Sequence, residues 1–480
     1  MPKACVVPCC RQHADVRYLR YPDHGNATVQ HTDSAWDEPS YLPEPSAQAV
    51  NSKFESANLL FIVIPNMNEE QTVVFDAVVA GISVLLTSRG GCGKSYTLSN
   101  IIDYTTTRDI PIGVTATTGC AALLIKGTTI HSFLGIGLAT KPVEQLAREC
   151  MRKQVLYNRL NAMRLLIIDE ISMMSDTLFD VISSYLSLVR KNNSPFGGVQ
   201  VILCGDLYQI PPVKDRFFFN SDIWTKLSAS STFKMFELKL SQRHISDKTF
   251  DILLQKLRTG KCDNETLAVL RSTETNTFPN GIKPTILYLK NVDVDLINSR
   301  ELAKLEAAGA VTHTYVKQTS ENAGGKAWAQ SCKVPDNVSL CEGAQVMLTW
   351  NTDIKERLCN GSRGVVVSLN PEGVYVDFVH TSRFISFIVV EHPDSHDVWI
   401  KYMPLRLAYA LTVNKSQSMT LDAVVVDMDV GPVSADFLYG KFYTAVSRVR
   451  SLSDIVVKNA SKRLFLAHPE VLKMDTLHEI

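Results

Sequence analysis

The chain has 480 residues, 45% of them hydrophobic and 20% charged, and its 49 basic side chains balance its 49 acidic ones. This is the composition of an ordinary globular protein long enough for roughly three domains, and it excludes collagen-like and low-complexity chains. The charge balance argues against indiscriminate coating of nucleic acid, while leaving room for a local basic groove. No run of eighteen apolar residues occurs, so no membrane span is expected. Residues 1–20 lack the apolar core of a secretion signal. The eleven cysteines are scattered, and Cys120, Cys204 and Cys341 sit in apolar segments, as expected of reduced thiols in an intracellular compartment.

In chain order, residues 1–55 are polar and aperiodic and read as a flexible leader. Within it Cys5, Cys9, Cys10 and His13 cluster. The spacing of Cys5 and Cys10 resembles the opening of THAP-type zinc fingers. No second Cys/His pair follows at the distance a four-ligand zinc site needs, so incidental cysteines are the preferred reading. From Asn68 onward, apolar strand candidates at 82–86, 165–168 and 199–203 alternate with helical patterns such as 96–103 and 176–189. That alternation predicts a parallel, helix-covered sheet. Between about 335 and 390 the pattern changes to short strands at 345–348, 363–368, 374–378 and 384–390, separated by Gly, Asn and Pro turns. These predict a small antiparallel module. After residue 405 the α/β texture returns.

The first strand runs into Ser88-Arg89-Gly90-Gly91-Cys92-Gly93-Lys94-Ser95 and then a helix. This is a phosphate-binding loop in its required strand–loop–helix context. Backbone N–H groups of Gly90, Gly91, Cys92 and Gly93 are placed to curl around phosphate oxygens. Lys94 supplies a point charge, and Ser95 is a candidate Mg²⁺ ligand. Ser88 stands where the motif usually has its first glycine. The next apolar strand ends in Asp169-Glu170; carboxylates at the C-terminal edge of a parallel sheet face the phosphate crevice. Asp169 is expected to hold Mg²⁺ and Glu170 to polarise the attacking water. A further strand ends in Gly205-Asp206, with Gln209 placed to reach a γ-phosphate. Arg243 and Arg448 are candidates for an arginine supplied from a second domain. ATP and Mg²⁺ are thus the expected substrate and cofactor.

These motifs together resemble the PIF-one family of superfamily one DNA helicases, in its 5′-to-3′ branch, with the RecD and Dda helicases as more distant relatives. The resemblance covers about residues 65–460. Gln71 lies where the family's adenine-reading glutamine lies. Thr115 and Thr118 in Val114–Ala122, and His131, Ser132 and Phe133 in Thr129–Phe133, match its first strand-binding segments. Pro195-Phe196-Gly197-Gly198-Val199-Gln200, the barrel segment with Asn360-Gly361-Ser362-Arg363-Gly364, and Tyr443–Arg448 match further family motifs. Thr412, Asn414, Lys415 and Ser416 match a second strand grip. Phe133 is either a base-stacking aromatic or a core residue. The chain departs from the family's usual His at Asn414, its usual Gly at Ser418, and its Phe-Arg-Gln order around Arg243.

The resemblance implies an α/β fold with two RecA-like P-loop domains and a small antiparallel β-barrel insert in the second. The division expected is 1–55 leader, 56–230 first motor domain, 231–310 and 401–480 second motor domain, and 311–400 insert, with a small wedge between 137 and 164. It implies ATP-dependent movement on single-stranded DNA, with unwinding of partial duplex in replication, repair or recombination. Forks, RNA–DNA hybrids and guanine quadruplexes stay open as substrates. A monomer is the default, placed in the nucleus if the source is eukaryotic or viral, with the mitochondrion as the alternative. A single-strand translocase that separates duplex poorly is the main rival. A relic-P-loop adaptor does not explain the full set Lys94, Ser95, Asp169, Glu170 and Gln209. A small-molecule kinase does not explain the strand-grip and barrel segments.

Overall fold

The structure, a computed structural model, describes residues 67–476 except 214, 246, 279–282, 290–293, 333, 354, 355, 357, 359, 380, 393, 394 and 428–430. The Cys5–His13 cluster and the leader lie outside the described residues.

Six strands form the first sheet: β1 (Ser83–Ser88), β2 (Ile112–Ala116), β3 (Thr128–Thr129), β4 (Leu165–Asp169), β5 (Gln200–Gly205) and β6 (Phe233–Leu238). All pair in parallel, in the order β3-β2-β4-β5-β1-β6. The centre is apolar on both faces, as a helix-covered parallel sheet requires: Val84, Leu85, Leu86, Leu166, Ile167, Ile168 and Ile202 are fully buried. This order places the C-terminal ends of β4, β5 and β1 side by side. The acids of β4, the Gly205-Asp206 end of β5 and the phosphate loop after β1 therefore share one edge. The stretch 137–164, where a wedge was expected, forms two helices, Val143–Met151 and Gln154–Ala162. Leu146, Ala147, Cys150 and Leu160 bury them in the same core as Asp176–Arg190.

The second sheet contains β7 (Thr285–Tyr288), and the antiparallel insertion follows with ten strands: β8 (His313–Val316), β9 (Gln318–Thr319), β10 (Asn337–Leu340), β11 (Gln345–Leu348), β12 (Arg363–Asn370), β13 (Gly373–Phe378), β14 (Ser382–Ser386), β15 (Ile388–His392), β16 (Ser395–Tyr402) and β17 (Leu405–Leu407). The chain then completes the second sheet with β18 (Ala410–Thr412), β19 (Val424–Asp427) and β20 (Ile455–Lys458), parallel in the order β18-β7-β19-β20.

Three expectations are corrected. A first-domain limit at 230 cuts off β6, which pairs with β1 along its whole length and packs Phe233 and Met235 against one core and Phe236 and Leu238 against the other. An insertion limit at 400 cuts off β17, which pairs with β11 through Val346 and Leu407. The single strand expected at 384–390 is two strands in different sheets: β14 pairs with β13 and β15 with β16. The insertion's main sheet runs β14-β13-β12-β11-β17, and among the described residues no ladder joins β14 to β17. Cys204 and Cys341 are buried as expected, whereas Cys120 is exposed. No helix of the described residues is long and apolar enough to cross a membrane.

Candidate active site

The phosphate loop turns through two left-handed glycines, Gly91 (φ 90°) and Gly93 (φ 93°). Each also admits a neighbour that a Cβ would strike: Arg243 Cβ at 2.4 Å for Gly91, and Gln71 Nε2 at 2.3 Å for Gly93. Glycine therefore does two jobs here, setting the curl of the loop and letting two long side chains approach it. Gln71 is itself pinned. It forms a reciprocal cap with Asn68 at the start of the helix Glu69–Val79, and it is buried against the loop.

Lys94 opens the helix Lys94–Thr106. Its ammonium donates to the Ser88 carbonyl at 2.7 Å, the Ser88 hydroxyl at 2.9 Å and the Arg89 carbonyl at 3.1 Å. Ser88, the departure from the motif's usual glycine, is thus an acceptor for Lys94. Ser95 is exposed beside it, and Cys92 is buried with only its backbone available to the loop.

Asp169 and Glu170 lie at the end of β4. Burial, reinforced by the charge of Glu170, pushes the Asp169 carboxyl up to about 7. A divalent cation there would hold it ionised. Asp169 with the Ser95 hydroxyl is an all-oxygen donor pair of the kind Mg²⁺ takes, the remainder coming from phosphate and water. Gln209 is buried, and its Oε1 has no hydrogen-bond partner. That orphaned acceptor at a cleft wall fits a donor supplied by a ligand or its water.

Arg243 and Arg448 reach the same place from the other side. The Arg243 backbone N–H donates to the Gly91 carbonyl at 3.1 Å and its guanidinium to the Ser447 carbonyl at 3.2 Å. Arg448 is buried, donates to the Thr444 carbonyl and the Ser447 hydroxyl at 2.8 Å each, and lies 3.6 Å from where a Gly90 Cβ would stand. Lys94, Asp169, Glu170, Gln209, Arg243 and Arg448 all line one cleft of about 480 Å³. The six residues expected to carry the chemistry are therefore brought together.

The DNA-facing residues divide. Asn414 and Lys415 are exposed on the four-residue helix Val413–Ser416, which Thr412 caps by accepting from the Lys415 N–H at 3.3 Å. Thr118, half-buried, caps the helix Gly119–Leu124, and His131 and Ser132 are half-buried on Ile130–Leu134. Three others are corrected. Thr115 is fully buried because its hydroxyl donates to the Ile167 carbonyl at 2.5 Å across the sheet. Ser416 is fully buried and donates to the Val413 carbonyl at 2.8 Å. Phe133 takes the core alternative at 5% exposure, with the Arg159 guanidinium 4.4 Å over its ring. In each case the fold had already used the group to satisfy the backbone or the core.

Sequence reasoning missed a buried network behind Gln209. Asp206 accepts from Arg258 Nε at 3.2 Å, the Tyr443 hydroxyl at 2.7 Å and Gln209 Nε2 at 3.3 Å. Burial, the largest single influence, would raise the Asp206 carboxyl, but Arg258, Lys94, Tyr443 and Gln209 together hold it below its ordinary value. Arg258 also donates to Glu237 on β6 at 2.7 Å. The Gly-Asp strand end, Gln209 and the motif that begins at Tyr443 were its sequence signals, none of which points to Arg258. Arg258 reads as one more cation in the last turn of an amphipathic helix.

The Arg243 turn is held by His244. This ring sits between the Ser241 hydroxyl (3.1 Å) and the Val449 carbonyl (3.2 Å), edge-on to Phe250. Burial, then the charge of Arg243, lowers it from 6.5 to about 4; Asp251 opposes this, and Arg89, paired with Asp251, adds to it. A depressed histidine stabilises fully above its unfolded value and loses that contribution as pH falls toward the folded one. Asp169, with its carboxyl raised to about 7, acts in the opposite sense over the same range in either protein. The effect is therefore read as a difference: between pH 7.5 and 5 the unaltered protein should lose on the order of 2 kcal/mol of stability, measured by urea unfolding, relative to His244→Gln. A slope identical in both proteins would remove His244 as its source.

Comparison with known proteins gives the same picture. The family model described as PIF1-like helicase matches residues 66–268, and that of the DNA helicase Pif1 2B domain matches residues 329–369. The human ATP-dependent DNA helicase PIF1 is 36% identical over 453 residues, covering 91% of this chain and 67% of that protein. The crystal structure of Pif1 helicase from Candida albicans superposes with a TM-score of 0.69 at 30% identity, covering 86% of this chain and all of that one. A Bacteroides Pif1 solved in complex with ADP-AlF4 shares the fold at a TM-score of 0.71 and 23% identity, over 86% of this chain and 97% of that one. With its two parallel sheets meeting at one nucleotide-type cleft, this chain belongs to the PIF1-like helicase family.

Proposed function

We propose that the chain is an ATP-driven DNA helicase that moves 5′ to 3′ along a single strand and opens the duplex ahead of it. The observation that carries this reading is the shared cleft. One sheet contributes the phosphate loop, Asp169, Glu170 and Gln209, and the segments flanking it contribute Arg243 and Arg448. In this reading Lys94 neutralises the β- and γ-phosphates, while Ser95 and Asp169 hold Mg²⁺, which adds charge neutralisation when bound. Glu170 orients the attacking water, Gln209 reads the γ-phosphate, and the two arginines offset charge developing in the transition state. Gln71 holds the base.

We divide the chain into a first motor domain ending after β6, a second motor domain containing β7 and β18–β20, and the antiparallel insertion between them as the family's 2B-type, barrel-like module. Closure of the motor domains on ATP changes the spacing between the Thr118–Ser132 and Thr412–Lys415 grips, which is nucleotide-driven hinge motion. Exposed amide and ammonium groups at Asn414 and Lys415 suit phosphate contacts that hold register without reading sequence.

The test is ATP hydrolysis with and without single-stranded DNA, beside unwinding of partial duplexes carrying a 5′ or a 3′ tail. Stimulated turnover with opening of only the 5′-tailed substrate is expected. Stimulation without unwinding would favour the translocase reading, and opening of only the 3′-tailed substrate would reverse the direction. Forked DNA, RNA–DNA hybrids and guanine quadruplexes in the same assay rank the substrates.

A further inference from the structure

Glu170 is tied on two sides. Its carbonyl accepts a hydrogen bond from the Thr117 hydroxyl at 2.9 Å, and Thr117 directly precedes the capping residue Thr118. Its carboxylate accepts from Gln417 Nε2 at 2.9 Å through one oxygen and from the Ser418 hydroxyl through the other. Gln417 and Ser418 directly follow the helix Val413–Ser416, whose Asn414 and Lys415 face solvent. Ser418 itself lies in the left-handed region at φ 65°, which disfavours any Cβ. What its side chain makes from that position is the contact to Glu170.

A carboxylate with a donor on each oxygen has a fixed orientation, and here both donors belong to the segment after β18. Any displacement of Val413–Ser416 is carried through one or two peptide units to the Gln417 and Ser418 donors. We infer that Ser418, together with Gln417, is a positioning residue that transmits strand occupancy at Asn414 and Lys415 to the Glu170 carboxylate. This rests on the motor reading above, in which Glu170 orients the water.

The hydroxyl and the backbone are separable. Ser418→Ala removes the hydroxyl and keeps the disfavoured Cβ; Ser418→Gly removes the hydroxyl and relieves the backbone. Steady-state ATP hydrolysis of the full chain is measured with and without an oligothymidine strand. Both variants are expected to lower kcat in the presence of the strand by about five- to tenfold, a fold-change typical of coupling between sites, with KM for ATP within about twofold of the unaltered protein. Unchanged stimulated kcat in both variants would overturn the assignment. So would opposite effects of alanine and glycine, which would mark backbone conformation and not the hydroxyl as what matters. Turnover of the unaltered chain that ignores the strand would overturn the motor reading, and this coupling with it.

Discussion

Replacement of Lys94 by alanine is expected to lower DNA-stimulated ATP hydrolysis by about 10²–10³-fold while leaving single-strand affinity within a few-fold. The ammonium is held over the loop by Ser88 and Arg89, so its charge is already placed where phosphate oxygens would gather. Preorganised charge costs no rearrangement when the reaction occurs, which is why its loss weighs on turnover. The exposed Asn414 and Lys415, proposed above as a strand grip, follow β18 in the other sheet and not the phosphate loop, so single-strand affinity is expected to hold. Hydrolysis and fluorescence anisotropy on a labelled strand, run on the same preparation, check both halves. Normal turnover in the variant would remove the phosphate loop from the chemistry.

The second large effect is structural. Arg258→Met leaves Asp206 buried without its cation, and breaking a buried pair in this way costs about 3–5 kcal/mol. Because Asp206 also accepts from Gln209 and Tyr443, the loss spreads into the cleft wall, and kcat should fall along with the urea midpoint. Asp206→Asn in the same background removes the stranded charge and should recover part of the stability, a coupling that a double-mutant cycle reads directly. The acid limb provides an independent check. A depressed carboxyl contributes stability above its ordinary 3.8 and loses it as pH falls through its lower folded value. Without Arg258 burial raises the folded value, so that acid-side loss should shrink or turn into a gain in stability as pH falls. A cycle with no coupling energy would show that the Arg258–Asp206 contact contributes nothing.

The strands bearing Lys94, Asp169 and Gln209 were legible because each is an unbroken apolar run ending in a short polar motif. Such runs announce a buried parallel strand, and strand ends announce the crevice. The order of strands was not legible. β6, Phe-Lys-Met-Phe-Glu-Leu, is neither an unbroken apolar run nor a clean alternation, because as the sheet's edge strand it places apolar residues against both cores and leaves Lys234 and Glu237 exposed. Thr115 and Ser416 look like ligand-binding hydroxyls in sequence, but each donates to a backbone carbonyl, Ile167 across the sheet and Val413 one turn back, and only the register of β2 on β4 brings Ile167 beside Thr115. Arg258, Gln417 and Ser418 act across more than fifty residues of chain or between the two sheets, which no local pattern encodes.

Only Ala408 and Tyr409 separate β17, the last strand of the insertion, from β18, the strand that leads into the exposed helix. Both residues are clamped. The Ala408 N–H donates to the Gln345 carbonyl and the Tyr409 hydroxyl accepts from the Gln345 N–H, while Asn298 accepts from the N–H groups of Tyr409 and Ala410. Such a short, fully bonded link has no slack. The last strand of the insertion and β18 are therefore mechanically continuous, and a displacement of β11 or β17 is handed directly to the residues that follow β18.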